Sequence, residues 1–182
     1  LKEFSHFAYT VAKIENCQIN PGPEAIRGEG SAAQMGSSGQ YVEGLGSQYP
    51  ILPSDHIAEG VEVTYNSVPP TSGEHWPTPA RCGFYEEVLP DERVVHNMEH
   101  GNIVISYNLK LESEVSDLRS TLGNIGLNSI WGVARAYEQI PTGQVILSTW
   151  GVSDTLLEIN ENRIKRFFEA YAGNLGPEQI PC

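Results

Sequence analysis

Five of the chain's twelve prolines and three of its five histidines fall between Val63 and Tyr107, in VTYNSVPPTSGEHWPTPARCGFYEEVLPDERVVHNMEHGNIVISY. Each proline fixes its own φ, removes a hydrogen-bond donor and pushes the preceding residue out of the helical region. The pair Pro69-Pro70 cannot lie inside a central strand. A segment punctuated in this way forms a stiff, irregular frame between regular elements. Such a frame displays side chains, and the side chains concentrated on it are histidines.

His96 and His100 stand four residues apart in HNMEHG. One turn of helix puts both imidazoles on the same face, where two nitrogens can converge to about 2.0–2.1 Å from a zinc ion. Gly101 supplies the helix stop. The spacing is related to HExxH, but Asn97 follows His96 and the glutamate is Glu99. The general base of zinc peptidases is therefore missing from its position, which argues against that activity. His75, held between Gly73 and Pro77, is the next ligand candidate, followed by His56. Glu99 and Glu74 are candidates for further ligation or for orienting an imidazole N–H. Met98 would add a thioether and favour copper, whereas a histidine or histidine–carboxylate set suits copper, zinc, nickel or iron. Two histidines at helical spacing are common by chance. Four of five within the 45 residues from His56 to His100 make a transition metal, copper or zinc first, the expected cofactor.

Lys and Arg total 11 against 23 Asp and Glu, a formal net charge of −12 without any basic block. Phosphate-neutralising patches are absent, so nucleic acid is not an expected partner. No glycine-rich phosphate loop with its lysine is present, and no run reaches the length of a membrane span. Cys17, Cys82 and Cys182 are widely spaced with no CxxC pair, which points to one disulfide with a cysteine left over and to an exported chain. Which two pair is open. The start at Leu1 fits a processed product.

Along the chain, Phe7, Tyr9 and Val11 alternate with small or polar neighbours as in a strand, and residues 1–20 are expected to form an N-terminal strand segment. This strand either joins its own sheet or inserts into that of a neighbouring copy, giving a homo-oligomer or filament. Residues 21–48, rich in Gly, Ser and Pro, read as a linker or long loop. A compact α+β domain over 49–182 follows, a mixed sheet with two packed helices. VEVTY (61–65), NIVISY (102–107), Trp131 to Tyr137 and Val145 to Trp150 are the expected strands. The expected helices are Glu112 to Leu122, with Leu111, Val115, Leu118 and Leu122 on one face, and one capped by Asn160 and stopped at Gly173, with Ile164, Phe167, Phe168 and Tyr171 inward. Glu86, Glu87, Asp91 and Glu92 read as an acidic loop around Pro90, and Trp131 and Trp150 as core.

YNSVPPTSGEHWP, GFYEE and VVHNMEHGNIVISY closely resemble the bacterial family of domains of unknown function 3105, with its YxxxPPTSGxH, GxY and VHxxEHG elements. The motif positions fall on His56, Tyr65, Pro70, Thr71, Ser72, Gly73, His75, Gly83, Tyr85, His96, Glu99, His100 and Gly101. The resemblance is strong from about His56 to Tyr107 and loose to Cys182; residues 1–48 lie outside it. It implies an extracellular or cell-surface protein and no particular activity. The expectation from the residues is a secreted, non-enzymatic metal-binding domain. A filament subunit joined by strand insertion is the alternative, and a metalloenzyme ranks behind both for want of a general base.

Overall fold

The computed structural model of the protein describes residues 39–182. The expected N-terminal strand with Phe7, Tyr9 and Val11, most of the Gly/Ser/Pro-rich stretch and Cys17 lie outside the described residues. In chain order the elements are β1 (Ser47–Gln48), β2 (Gly83–Tyr85), α1 (Asp91–Glu99), β3 (Ile103–Tyr107), α2 (Glu112–Gly123), α3 (Asn128–Trp131), β4 (Gly132–Ala136), β5 (Val145–Thr149), β6 (Val152–Leu156) and α4 (Glu161–Tyr171). The strands form one mixed sheet in the order β1-β6-β5-β3-β4-β2. β4 runs parallel to both β2 and β3, and the other pairings are antiparallel. The domain is α+β, as the periodicities indicate.

NIVISY supplies the centre of the sheet, and every residue of β3 is buried. That matches an apolar run with neighbours on both edges. The amphipathic face of α4 is fully inside, with Ile164, Phe167, Phe168 and Tyr171 at 0% exposure. Its Asn160 cap accepts from the Arg163 N–H at 2.9 Å. α2 buries Leu118 and Leu122, but Leu111, expected on the same face, is exposed because it is the residue before the first turn. The core also reaches back into the stretch read as linker: Leu45 is buried in it.

Three expectations are corrected. VEVTY belongs to no strand. Its alternation is real, since Val63 and Tyr65 are half-buried and Glu62 and Thr64 exposed. Yet the Val63 N–H donates to the Glu92 carboxylate at 2.9 Å, a side chain standing in for a ladder partner. Asp91 and Glu92 are not in a loop but open α1, where acidic side chains complement the helix dipole. The strand read from Trp131 starts at Gly132; Trp131 ends the short α3 and is half-buried, whereas Trp150 is buried. Finally β6, the return strand after Trp150-Gly151, and the three-residue β2 carry no sequence expectation. Polar Ser153 and Asp154 hide the former, and Asp154 tolerates its position because Arg163 clasps both its oxygens at 2.6 and 3.0 Å.

The pairing left open by spacing is Cys82–Cys182, closing a separation of 100 residues. In a chain-entropy account a loop of that size is worth about 4–5 kcal/mol. It ties the C-terminus to the segment just before β2.

Candidate metal centre

Three stretches far apart in sequence meet at α1. Its face carries His96 and Glu99, with His100 as the C-terminal cap residue, positions i, i+3 and i+4 that share one side of a helix. The helix ends where Gly101 turns into the left-handed region at φ +86°. The second stretch brings His75, fully buried, and the third His56, whose side chain is 54% exposed. His56 and His75 are register partners in an isolated parallel bridge, with Ile57 N–H to the His75 carbonyl at 2.9 Å and His75 N–H to the Asp55 carbonyl at 3.2 Å. The frame predicted from the prolines is therefore fixed by backbone bonds at the histidines themselves.

Asn97, between the two helical histidines, locks the proline-rich segment to α1. Its Oδ1 accepts from Ala80 N–H at 2.9 Å, and its Nδ2 donates to the Ala80 carbonyl at 2.8 Å and to Asn102 Oδ1 at 3.0 Å. In the first turn of α1, the Glu92 carbonyl accepts from Trp76 N–H at 3.2 Å. At the start of the helix Asp91 is held by fully buried Arg135 on β4, at 2.5 Å, and by the Tyr137 hydroxyl at 2.9 Å. Arg135 also donates to the Leu89 carbonyl and Ser106 Oγ.

The imidazoles are oriented by carbonyls. His96 Nδ1 lies 2.7 Å from the Trp76 oxygen and His75 Nδ1 2.8 Å from the Gly73 oxygen. A carbonyl only accepts, so both Nδ1 atoms carry protons. In His96, when neutral, this leaves the Nε2 lone pair pointing into the cluster, the arrangement that orients metal-bound histidines elsewhere. The ring centroids of His56, His75 and His96 form a triangle with each side 4.9 Å. His75 Nε2 approaches Glu99 Oε2 at 2.9 Å, His56 Nε2 the same oxygen at 3.7 Å, and His96 Nε2 meets His100 Nε2 at 3.0 Å. Donor atoms of His56, His75, His96 and Glu99 all lie within 4.8 Å of one another. Two ligands about 2.1 Å from one ion are separated by about 3.0–3.4 Å at angles between 90° and tetrahedral. The His75–Glu99 pair is already near that spacing, and the widest pair, within 4.8 Å, would draw in by about 1 Å around an ion.

Electrostatics divide the cluster. Burial, with the charges of His100, His75 and His56, lowers the His96 pKa to about 4 against the pull of the Trp76 carbonyl. Burial also lowers His100, although Glu178 and Glu99 act the other way. For His75 burial is outweighed by the hydrogen bonds to Glu99 and the Gly73 carbonyl, and its pKa rises. Glu99 is driven up by burial but further down by His75 and the surrounding histidines, so it is held ionised. One proton thus closes the His75–Glu99 approach, and a cation competes with that proton for the same lone pair. At pH 5.5 a histidine of pKa about 6.5 is roughly nine-tenths protonated. His96 is expected to remain a neutral Nδ1–H tautomer there, as read from its ring nitrogen shifts by NMR; an imidazolium pattern at that pH would overturn the assignment. Because the folded value is depressed, stability present above pH 6.5 is lost as pH falls from there towards about 4.

Other sequence candidates fall elsewhere. Met98 points into the hydrophobic core, which removes a thioether from the donor set. Glu74 is exposed, and its contribution is a carbonyl that accepts from Tyr65. Sequence reading missed Glu178, 3.3 Å from His100, along with the orienting carbonyls of Gly73 and Trp76, which no side-chain pattern encodes.

Fold and site define an α+β domain assembled around a histidine–carboxylate cluster. Residues 56–182 match the family described as protein of unknown function (DUF3105), and the chain belongs to it. The match opens at His56, the first residue of the cluster. No curated protein and no solved structure matches the chain.

Proposed function

We propose that this domain binds one transition-metal ion through His56, His75, His96 and Glu99, with His100 beside them. The observation that supports this most is the convergence of four donor atoms from three separate stretches, two of their imidazoles held by carbonyls on the opposite nitrogen. A generic buried polar cluster has no need to aim lone pairs inward. Imidazole and carboxylate without sulfur suit zinc, copper(II), nickel or iron, with zinc and copper as the first candidates. Retention of the ion, for structure or sequestration, is the role proposed, since the cluster's one carboxylate is itself one of the proposed ligands and is not a free general base. The Cys82–Cys182 disulfide supports an oxidising, extracellular or cell-surface setting. Among the described residues no helix is long and apolar enough to cross a membrane. The test is elemental analysis of purified protein after dialysis against zinc or copper. About one ion per chain is expected, and its absence for every first-row metal would sink the proposal.

Assembly through residues 1–20 is a second proposal, supported by one feature of the sheet. β1 pairs with β6 only at Val152 and Ser153, which leaves the outer edge of Asp154–Leu156 without a strand among the described residues. Leu157 beyond it is 77% exposed. The apolar alternation of Phe7, Tyr9 and Val11 in the sequence suits addition to such an edge. Deleting residues 1–20 is expected to convert an oligomer to a monomer by light scattering; an unchanged mass would dismiss the idea.

A further inference from the structure

The last carbonyls of α1 have no partner within the helix, as at every helix C-terminus. Here the C-terminal segment supplies their partners. Gly173 N–H donates to the Gly101 carbonyl at 2.9 Å, Glu178 N–H to Glu99 at 3.1 Å and Ile180 N–H to His100 at 3.0 Å. Glycines allow the approach. At Gly176, φ +112°, a Cβ would lie 2.5 Å from the Glu99 oxygen and 2.8 Å from that of Met98. At Gly101 it would lie 2.9 Å from the Leu175 oxygen. Leu175 is buried in the core on one side of the crossing. On the other, Cys182 is bonded to Cys82, and its N–H reaches the Ile130 carbonyl at 3.1 Å. The chain end is a strap laid across the backbone of the metal-facing helix and fastened at both ends.

We propose that this strap is part of the metal centre and that Glu178 is its second carboxylate ligand. The inference rests on the metal-binding reading above. Glu178 Oε2 stands 3.3 Å from His100 Nε2, the spacing of neighbouring ligands, and His100, which adjoins the four-residue cluster, has its Nε2 3.0 Å from that of His96. A divalent ion held by neutral imidazoles and Glu99 alone keeps one net positive charge. A second carboxylate balances it, and half-exposed Glu178 is placed to close over the ion from the solvent side. The disulfide then acts on the site through the strap, by keeping Glu178 against His100.

The experiment compares zinc affinity and the visible spectrum of the cobalt(II)-loaded protein in the wild type and three kinds of variant. Glu178→Gln keeps the strap's backbone bonds and is expected to weaken zinc binding by at least the roughly 10–100-fold that loss of an orienting group costs, with a changed cobalt spectrum because a ligand is gone. Gly176→Ala, which leaves every ligand side chain in place but pushes the strap off the Met98 and Glu99 carbonyls, is expected to weaken binding in the same direction. So is Cys17→Ser/Cys82→Ser/Cys182→Ser measured against Cys17→Ser. A wild type that binds neither zinc nor cobalt overturns the metal reading itself. Tight binding with an unaltered cobalt spectrum in Glu178→Gln overturns the role of Glu178 and leaves the histidine cluster standing.

Discussion

Stoichiometric metal binding is expected to disappear when His96 and His100 are both replaced by alanine. The two Nε2 atoms stand 3.0 Å apart, and His96 is also the member whose lowered pKa, about 4, keeps its lone pair available through the physiological range. Loss of groups that merely orient a ligand costs about 10–100-fold in affinity, so loss of the ligand His96 together with the histidine beside it is expected to cost at least about 100-fold. Titration calorimetry and elemental analysis read the effect, with circular dichroism to confirm that the fold survives. Full occupancy in the double variant would remove the cluster as the metal site. In the unaltered protein the sign of the pH effect is also set. His75 holds its proton more firmly than an ordinary histidine because of Glu99, so metal affinity falls as pH is lowered and protons win that nitrogen.

The second large effect is on stability. Asp91→Ala leaves the guanidinium of Arg135, at 0% exposure, without its carboxylate, and takes the acceptor from the Tyr137 hydroxyl as well. Removing one partner of a buried ion pair typically costs about 3–5 kcal/mol, because the remaining charge stays desolvated. Replacing both, as in Asp91→Leu/Arg135→Met, is expected to be milder than the single change, since an apolar pair needs no compensation. Urea unfolding of the two variants checks the order. A single-variant loss below about 1 kcal/mol would mean that water reaches Arg135 and shares its charge. Asp91 begins the helix whose last turn carries His96, Glu99 and His100, so the pair also sets where those side chains stand.

Much of this was legible in the residues, and for identifiable reasons. β3 and α4 were readable because continuous burial and a period of 3.6 leave their mark on which residues are apolar. His96 and His100 were readable because a helix turns spacing into direction. Reading VEVTY as a strand failed because alternation reports which side chains are half-buried, not what satisfies the backbone, and Glu92 does that here. β6 was hidden because its polar Asp154 is neutralised by Arg163, a partner on another element. Glu178 was out of reach altogether. Only the folded path of the chain end brings it to His100, and local sequence carries no signal for that. The family elements point to the same histidines without saying how they are aimed.

Between β1 and β2 the chain has no helix and no ladder, only the single bridge of His56 with His75. Irregular stretches of that length inside a domain are unusual unless something other than secondary structure holds them. The candidates here are the cluster itself and the Asn97 and Glu92 clasps from α1. The same histidines are therefore both the contents of the site and the stitching of the loop that presents them. A bound ion would add a cross-link between His56 and His75 to a loop that is otherwise held by hydrogen bonds and, at its end, by the Cys82 disulfide, so occupancy would be written into the local unfolding of residues 49–82 as much as into any reaction.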